Sequence, residues 1–222
     1  MRLMIRKTKL LTAVVVVTVL LAGCGAQSSL RFEATPGSFA GEAVEEAGYE
    51  QASDREIVRN RTFEAGGSTR NVTVINYGAV YTRTAEIQPL GERKIAAAAV
   101  FTTPSISILG SEQNPLASAP PRRLVSRASN VAGDDLPGDG LRDVQFEETR
   151  QRTTLDTETN LSVFSATTTI EGVSVDVVVW VARVKHDGDF VIVAGAFPER
   201  LEDHERPRVE TLFDNVVHEE TN

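Results

Sequence analysis

Apolar and polar residues alternate with a period of two along the second half of the chain. From Leu141 onward, "RDVQFEETRQRT", "NLSVFSATTTI", "VSVDVVVWVARV" and "DFVIVAGAF" read as four strands separated by turn residues, including His186-Asp187-Gly188. Val177–Val184 and Val191–Phe197 are apolar at nearly every position, which predicts central strands covered on both faces. Upstream, "REIVRNRTFEA" and "RNVTVINYGAVYTR" flank "GGST", a hairpin signal. In the second arm Val72 and Val74 share one face, and Thr73, Ile75, Tyr77, Ala79 and Tyr81 the other. "SISIL" adds a short strand.

Elsewhere the period is helical. After a Pro36-Gly37 turn, Ser38 is placed to cap a helix carrying Phe39, Ala43, Val44 and Ala47, and Gly48 ends it. The alanine-rich "ERKIAAAAVFTTP" predicts a second short helix that stops before Pro104. Residues 110–140 carry the weakest pattern, with room for one short helix in "NPLASAPPRRLVSRAS". A last helix, starting between Asp203 and Pro207, places Val209, Leu212, Phe213, Val216 and Val217 on one stripe. That stripe predicts packing on a sheet; its acidic opposite face argues against a membrane-surface helix. The expected fold is α+β: a single domain on a meandering, mainly antiparallel sheet, with helices at the N-terminus, middle and C-terminus.

The first residues change the picture of location. "MRLMIRKTK" carries four cations and no acid, and an apolar run from Leu10 to Leu21 follows. Twelve helical residues reach roughly 18 Å, short of the ~30 Å hydrocarbon core, so the segment reads as a signal peptide and not a span. Leu21-Ala22-Gly23-Cys24 resembles the lipobox of prokaryotic lipoproteins, in which the cysteine sulfur takes a lipid and a peptidase cuts before it. The expected organisation is signal peptide 1–23, lipidated Cys24 and tether 24–31, and domain 32–222. Arg6-Lys7 is a degenerate twin-arginine pair, so the export route stays open. Cys24 is the chain's one cysteine, so no intramolecular disulfide forms.

Charge points the same way. The chain holds 23 basic and 31 acidic residues, a net of −8. Loss of Arg2, Arg6, Lys7 and Lys9 leaves 19 against 31, a net of −12, with Lys94 and Lys185 the remaining lysines. Near molar salt the Debye length is about 3 Å, so such self-repulsion is screened, and the composition suits concentrated salt. No basic stripe exists to bind nucleic acid through its phosphates.

Catalytic motifs are sparse. "GVSVD" at Gly172–Asp176 lacks the second glycine of a nucleophile elbow, and no phosphate-binding loop is present. Glu147 and Glu148 are strand neighbours facing opposite ways, which rules them out as an acid/base pair. His204 and His218 are expected at opposite ends of the last helix, about 21 Å apart and unable to share a metal. His186 lies beside Asp187 and Asp189, a turn composition that also offers a base. Asp134, Asp135 and Asp139 in "GDDLPGDG" form a candidate cation loop, or a solvated acidic loop. Three glycosylation sequons begin at Asn60, Asn71 and Asn160. Tyr77, Tyr81 and Trp180 either line a groove or pack in the core. No metal site and no cofactor is expected.

The segments "EEAGYE", "RTFEAGGSTRNVTVINYGAVYTR", "FTTPSISILG" and "ARVKHDGDFVIVAGAFPE" resemble a family of uncharacterised lipoproteins from halophilic archaea. The late strand, hairpin, strand, helix order is more distantly similar to the PsbP-like αβα sandwich. Neither resemblance implies catalytic residues. The function expected is a lipid-anchored, non-enzymatic domain on the outer face of the cytoplasmic membrane, binding a membrane-protein partner or a small ligand. The alternatives are a surface hydrolase using His186 and a structural envelope spacer.

Overall fold

The computed structural model describes residues 30–65, 68–87, 91–108 and 110–218. The expected signal peptide with Leu21, Ala22 and Gly23, the expected lipidation site Cys24 and the following residues to Ser29 lie outside the described residues. The chain divides into two compact units, Met1–Leu30 with Asn60–Thr73, and Arg31–Arg59 with Val74–Asn222.

The strands in chain order are β1 (Leu30–Glu33), β2 (Ser38–Phe39), β3 (Glu50–Ala65), β4 (Ser68–Ile87), β5 (Gly91–Pro104), β6 (Ser107–Ile108), β7 (Ser111–Glu112), β8 (Arg142–Thr154), β9 (Thr157–Ile170), β10 (Val173–His186), β11 (Asp189–Pro198) and β12 (Val216–Val217). The helices are α1 (Gly41–Ala47), α2 (Pro121–Ala132) and α3 (Glu202–Asp214). The main sheet runs β1-β4-β5-β11-β10-β9-β8, with β3 paired to β4. The fold class is the expected one, α+β on a mainly antiparallel sheet with helices near the N-terminus, middle and C-terminus.

Three two-residue turns build the β8–β11 meander. Leu155-Asp156, Glu171-Gly172 and Asp187-Gly188 all take positive φ, the geometry whose twist matches the flanking strands. Within the second unit the sheet is covered on both faces, as the unbroken apolar strands required. On one face Trp180, Val191, Val193 and Phe197 pack with Val209, Leu212 and Phe213 of α3. On the other, Phe101, Val179, Val181 and Ile192 pack with Leu124, Val125 and Val131 of α2. Trp180 meets Phe197 and Phe213 edge-on, at centroid distances of 5.8 and 6.0 Å.

The alanine-rich segment is not a helix. It forms β5, paired to β4 and β11, and the small side chains that favour helix in isolation are here selected by depth. Ala97 and Ala99 lie under α2, while Ala96 and Ala98 belong to the opposite core. A Cβ on neighbouring Gly195 would stand 2.8 Å from Val209 Cγ1, so α3 rests almost on the backbone. Burial in a central strand overrides local propensity. The middle helix is instead α2, inside the weakly patterned stretch.

Two further boundaries differ from expectation. Ser38 and Phe39 form β2, paired with Val216 and Val217 of β12, so the first helix starts at Gly41 and the last ends at Asp214. Gly48 does end α1, at φ +69, with its N–H on Glu45 O and Val44 O. His218 therefore lies beyond β12, not at a helix end, and the 21 Å separation drawn from a continuous helix does not apply.

Candidate functional site

Strands β8, β9 and β10 carry a row of polar residues across one face of the sheet. Gln151 of β8 faces Asn160 of β9, and Ser162 of β9 faces Val181 of β10. Gln151 Nε2 donates to Asn160 Oδ1 at 2.9 Å. With Glu158, Arg183 and Leu124 at the start of α2, these residues line a groove of about 460 Å³.

Arg183 is the cation and Glu158 the carboxylate among the residues lining the groove. Its Nη1 donates to Leu116 O at 2.6 Å and Ala119 O at 3.1 Å, which fixes the loop before α2. Burial alone lowers its pKa, with no neighbouring charge contributing among the described residues. Two carbonyl dipoles hold the guanidinium in place without neutralising it. A half-buried cation in that state attracts an anionic group to the groove. Sequence reasoning missed it because Arg183 falls inside an apolar strand run, and only strand alternation marks it as facing α2.

A second polar cluster sits at the β10–β11 turn. His186 and Asp189 are the closing cross-strand pair of that turn, and His218 reaches them from the C-terminal segment. Asp189 Oδ2 accepts the Thr35 N–H at 2.7 Å and lies 3.2 Å from His218 Nε2. A carboxylate only accepts, so Nε2 of His218 carries a proton, and in the neutral ring Nδ1 then presents a lone pair. That lone pair is 3.0 Å from His186 Nδ1, which donates to it in the neutral pair. The remaining nitrogen of His186, on a side chain 27% exposed, is left as an acceptor. His218 is fully buried. Sequence reading separated these residues because it placed His218 on the helix.

The acidic loop is split. Asp134 and Asp139 border a groove beside α2, whereas Asp135 points to Arg55, Lys94 and Ser53 at 2.8, 3.5 and 2.6 Å. The Ser53 hydroxyl first, then the Lys94 and Arg55 charges, hold its carboxyl below the usual aspartate value against the opposing effect of burial. Among the described residues no three His, Cys, Asp or Glu side chains are grouped to hold a metal. His204 stands apart on α3. Trp180 and Tyr81 are buried core residues, and Tyr77 donates to Glu33 at 2.7 Å. The sequon asparagines Asn60, Asn71 and Asn160 are all exposed. Among the described residues no helix is long and apolar enough to cross a membrane.

No curated protein matches the chain. Among solved structures, a Pseudomonas aeruginosa protein of unknown function, PA94, shares 11% identity over 73% of this chain and 99% of its own, with a TM-score of 0.35. LpqN of Mycobacterium tuberculosis, described as involved in cell envelope biogenesis, shares 8% identity over 82% of this chain and 98% of its own, with a TM-score of 0.33. At these values neither likeness informs function. Residues 36–217 match the model of DUF6517, a domain of unknown function, and the chain belongs to that family.

Proposed function

We propose that this is a lipid-anchored, non-enzymatic binding domain of a salt-adapted archaeon, held through Cys24 on the outer face of the cytoplasmic membrane. It takes a small carboxylate-bearing ligand, free or displayed by a membrane partner, in the groove between α2 and β8–β10. The observation that supports it most is the half-buried Arg183, without an ion-pair partner among the described residues, in a concavity it shares with the amides of Gln151 and Asn160, the hydroxyls of Thr159 and Ser162, the carboxylate of Glu158 and an apolar wall. Glu158 on the same wall favours a ligand that also carries a donor, such as an amino or hydroxyl group. The full chain in detergent, titrated calorimetrically with acetate, lactate and glutamate at fixed ionic strength, tests it. Saturable binding lost in Arg183→Met is expected; equal heats from both proteins, or none, would sink the proposal.

A second reading, a surface hydrolase, draws on the Asp189–His218–His186 chain, which in the neutral pair leaves an acceptor nitrogen on the partly exposed His186 ring and a buried carboxylate behind His218. Turnover of an ester panel by wild type but not His186→Ala would favour it over simple binding.

A further inference from the structure

The three sequons look alike in sequence, but the structure separates them. In the first unit, Thr73 Oγ1 donates to Asn60 Oδ1 at 2.9 Å and Thr62 Oγ1 donates to Asn71 Oδ1 at 3.1 Å. The hydroxyl of each sequon thus holds the asparagine of the other across the β3–β4 pair. An amide whose oxygen is held this way turns its nitrogen to the opposite side, and among the described residues no hydrogen bond engages Nδ2 of either asparagine. Asn60, Thr62 and Asn71 are exposed. Among the described residues β3 pairs with β4 alone.

Asn160 is also exposed and its Oδ1 is also held, by Gln151 Nε2 at 2.9 Å, but its surroundings differ. Its strand is paired on both sides, with Gln151 facing Asn160 itself and Ala182 facing Leu161. Its amide lies in the groove beside Gln151, Glu158 and Arg183. A sugar chain there would occupy the groove.

We infer that Asn60 and Asn71 are N-glycosylated as a pair and that Asn160 is not, an inference that rests on export to the outer face. In the transfer, Nδ2 bonds to the anomeric carbon of a lipid-phosphate-linked oligosaccharide. The sugar–phosphate bond breaks, the lipid phosphate leaves with the electron pair, and the amide loses one proton. Each Oδ1 keeps its threonine partner, and each glycan covers part of a ribbon whose Val58 is 45% exposed.

Cleavage after glutamate puts the three sequons on separate peptides, residues 57–64, 65–86 and 159–171. Mass spectrometry of the full chain from its own membranes should find hexose-type mass increments on the first two and none on the third. Asn60→Gln should remove the increment from residues 57–64 alone. The N-terminal peptide reports location in the same run. Lipidated Cys24 with unmodified Asn60 and Asn71 overturns the glycan pair while leaving the anchor standing. An unprocessed leader with bare asparagines overturns both. An increment on 159–171 overturns the distinction drawn for Asn160.

Discussion

Asp189 and His218 lie 3.2 Å apart with the carboxylate also accepting the Thr35 N–H, so one oxygen closes a contact between the start of the domain, the β10–β11 turn and the C-terminal segment. Asp189→Ala leaves the buried His218 Nε2–H and the partly buried Thr35 N–H without this partner, and a buried unsatisfied donor costs about 1–3 kcal/mol. Chemical denaturation in molar salt should show a loss in that range. Asp189→Asn keeps one acceptor and should lose less. Equal stability of all three proteins would mean the contact contributes nothing.

Glu205 of α3 is fully buried and pairs bidentately with Arg83 of β4, Nε donating to Oε2 at 3.0 Å. Breaking one side of such a pair strands a charge, at about 3–5 kcal/mol. Glu205→Ala should be strongly destabilised, and the double variant Arg83→Met/Glu205→Leu should recover much of the loss in the same unfolding assay. A recovery near zero would show that α3 needs the charges and not only the filled volume.

Gly195 tests how closely α3 rests on the sheet. Its alanine variant places a methyl 2.8 Å from Val209 Cγ1, an overpacking expected to cost about 1–3 kcal/mol. Adding Val209→Ala should relieve it, and a melting temperature unchanged by Gly195→Ala would contradict the close approach.

Acid sensitivity follows from Asp135. Its folded pKa is depressed by the Ser53 hydrogen bond and by Lys94 and Arg55, so its contribution is present above the ordinary aspartate value. That contribution is lost as the pH falls through the lower folded one. Stability should drop as pH falls below about 4. Asp135→Asn should flatten that limb and leave the slope near neutrality unchanged, as read from urea midpoints across pH.

Net charge gives a salt prediction. Between molar and 0.1 M salt the Debye length grows from about 3 to about 10 Å, and a chain of net −12 after leader removal should lose melting temperature over that range. A flat response would remove the salt-adapted part of the proposal.

The late strands and α3 were legible because their signals are local. Val209, Leu212 and Phe213 fall on one helical face, and all three are fully buried. α2 was also present in the sequence, as Leu124, Val125, Ala128, Val131 and Ala132 behind Pro120-Pro121, but proline and acidic loops around it diluted the pattern. β5 was misread because alanine's own preference is helical and nothing within the segment reports the helices above and below it. The groove and the histidine pair were illegible for another reason. Each depends on contacts between residues far apart in the chain, His186 with His218 and Arg183 with the Leu116 and Ala119 carbonyls, and no spacing rule reaches that far.

The place of β5 in the sheet also sets an order in time. Val100 faces Val193, so the strand at the middle of the sheet waits for a partner made near the end of the chain, whereas β8 to β11 close through successive two-residue turns. Local pairings form early and distant ones late. On the proposed export route, a chain emerging N-terminus first would present Cys24 and the Asn60–Thr73 segment before the one that completes the sheet. Any enzyme acting on those segments along that route would meet the chain while β5 still lacks its β11 partner, and folding would seal the sheet afterwards.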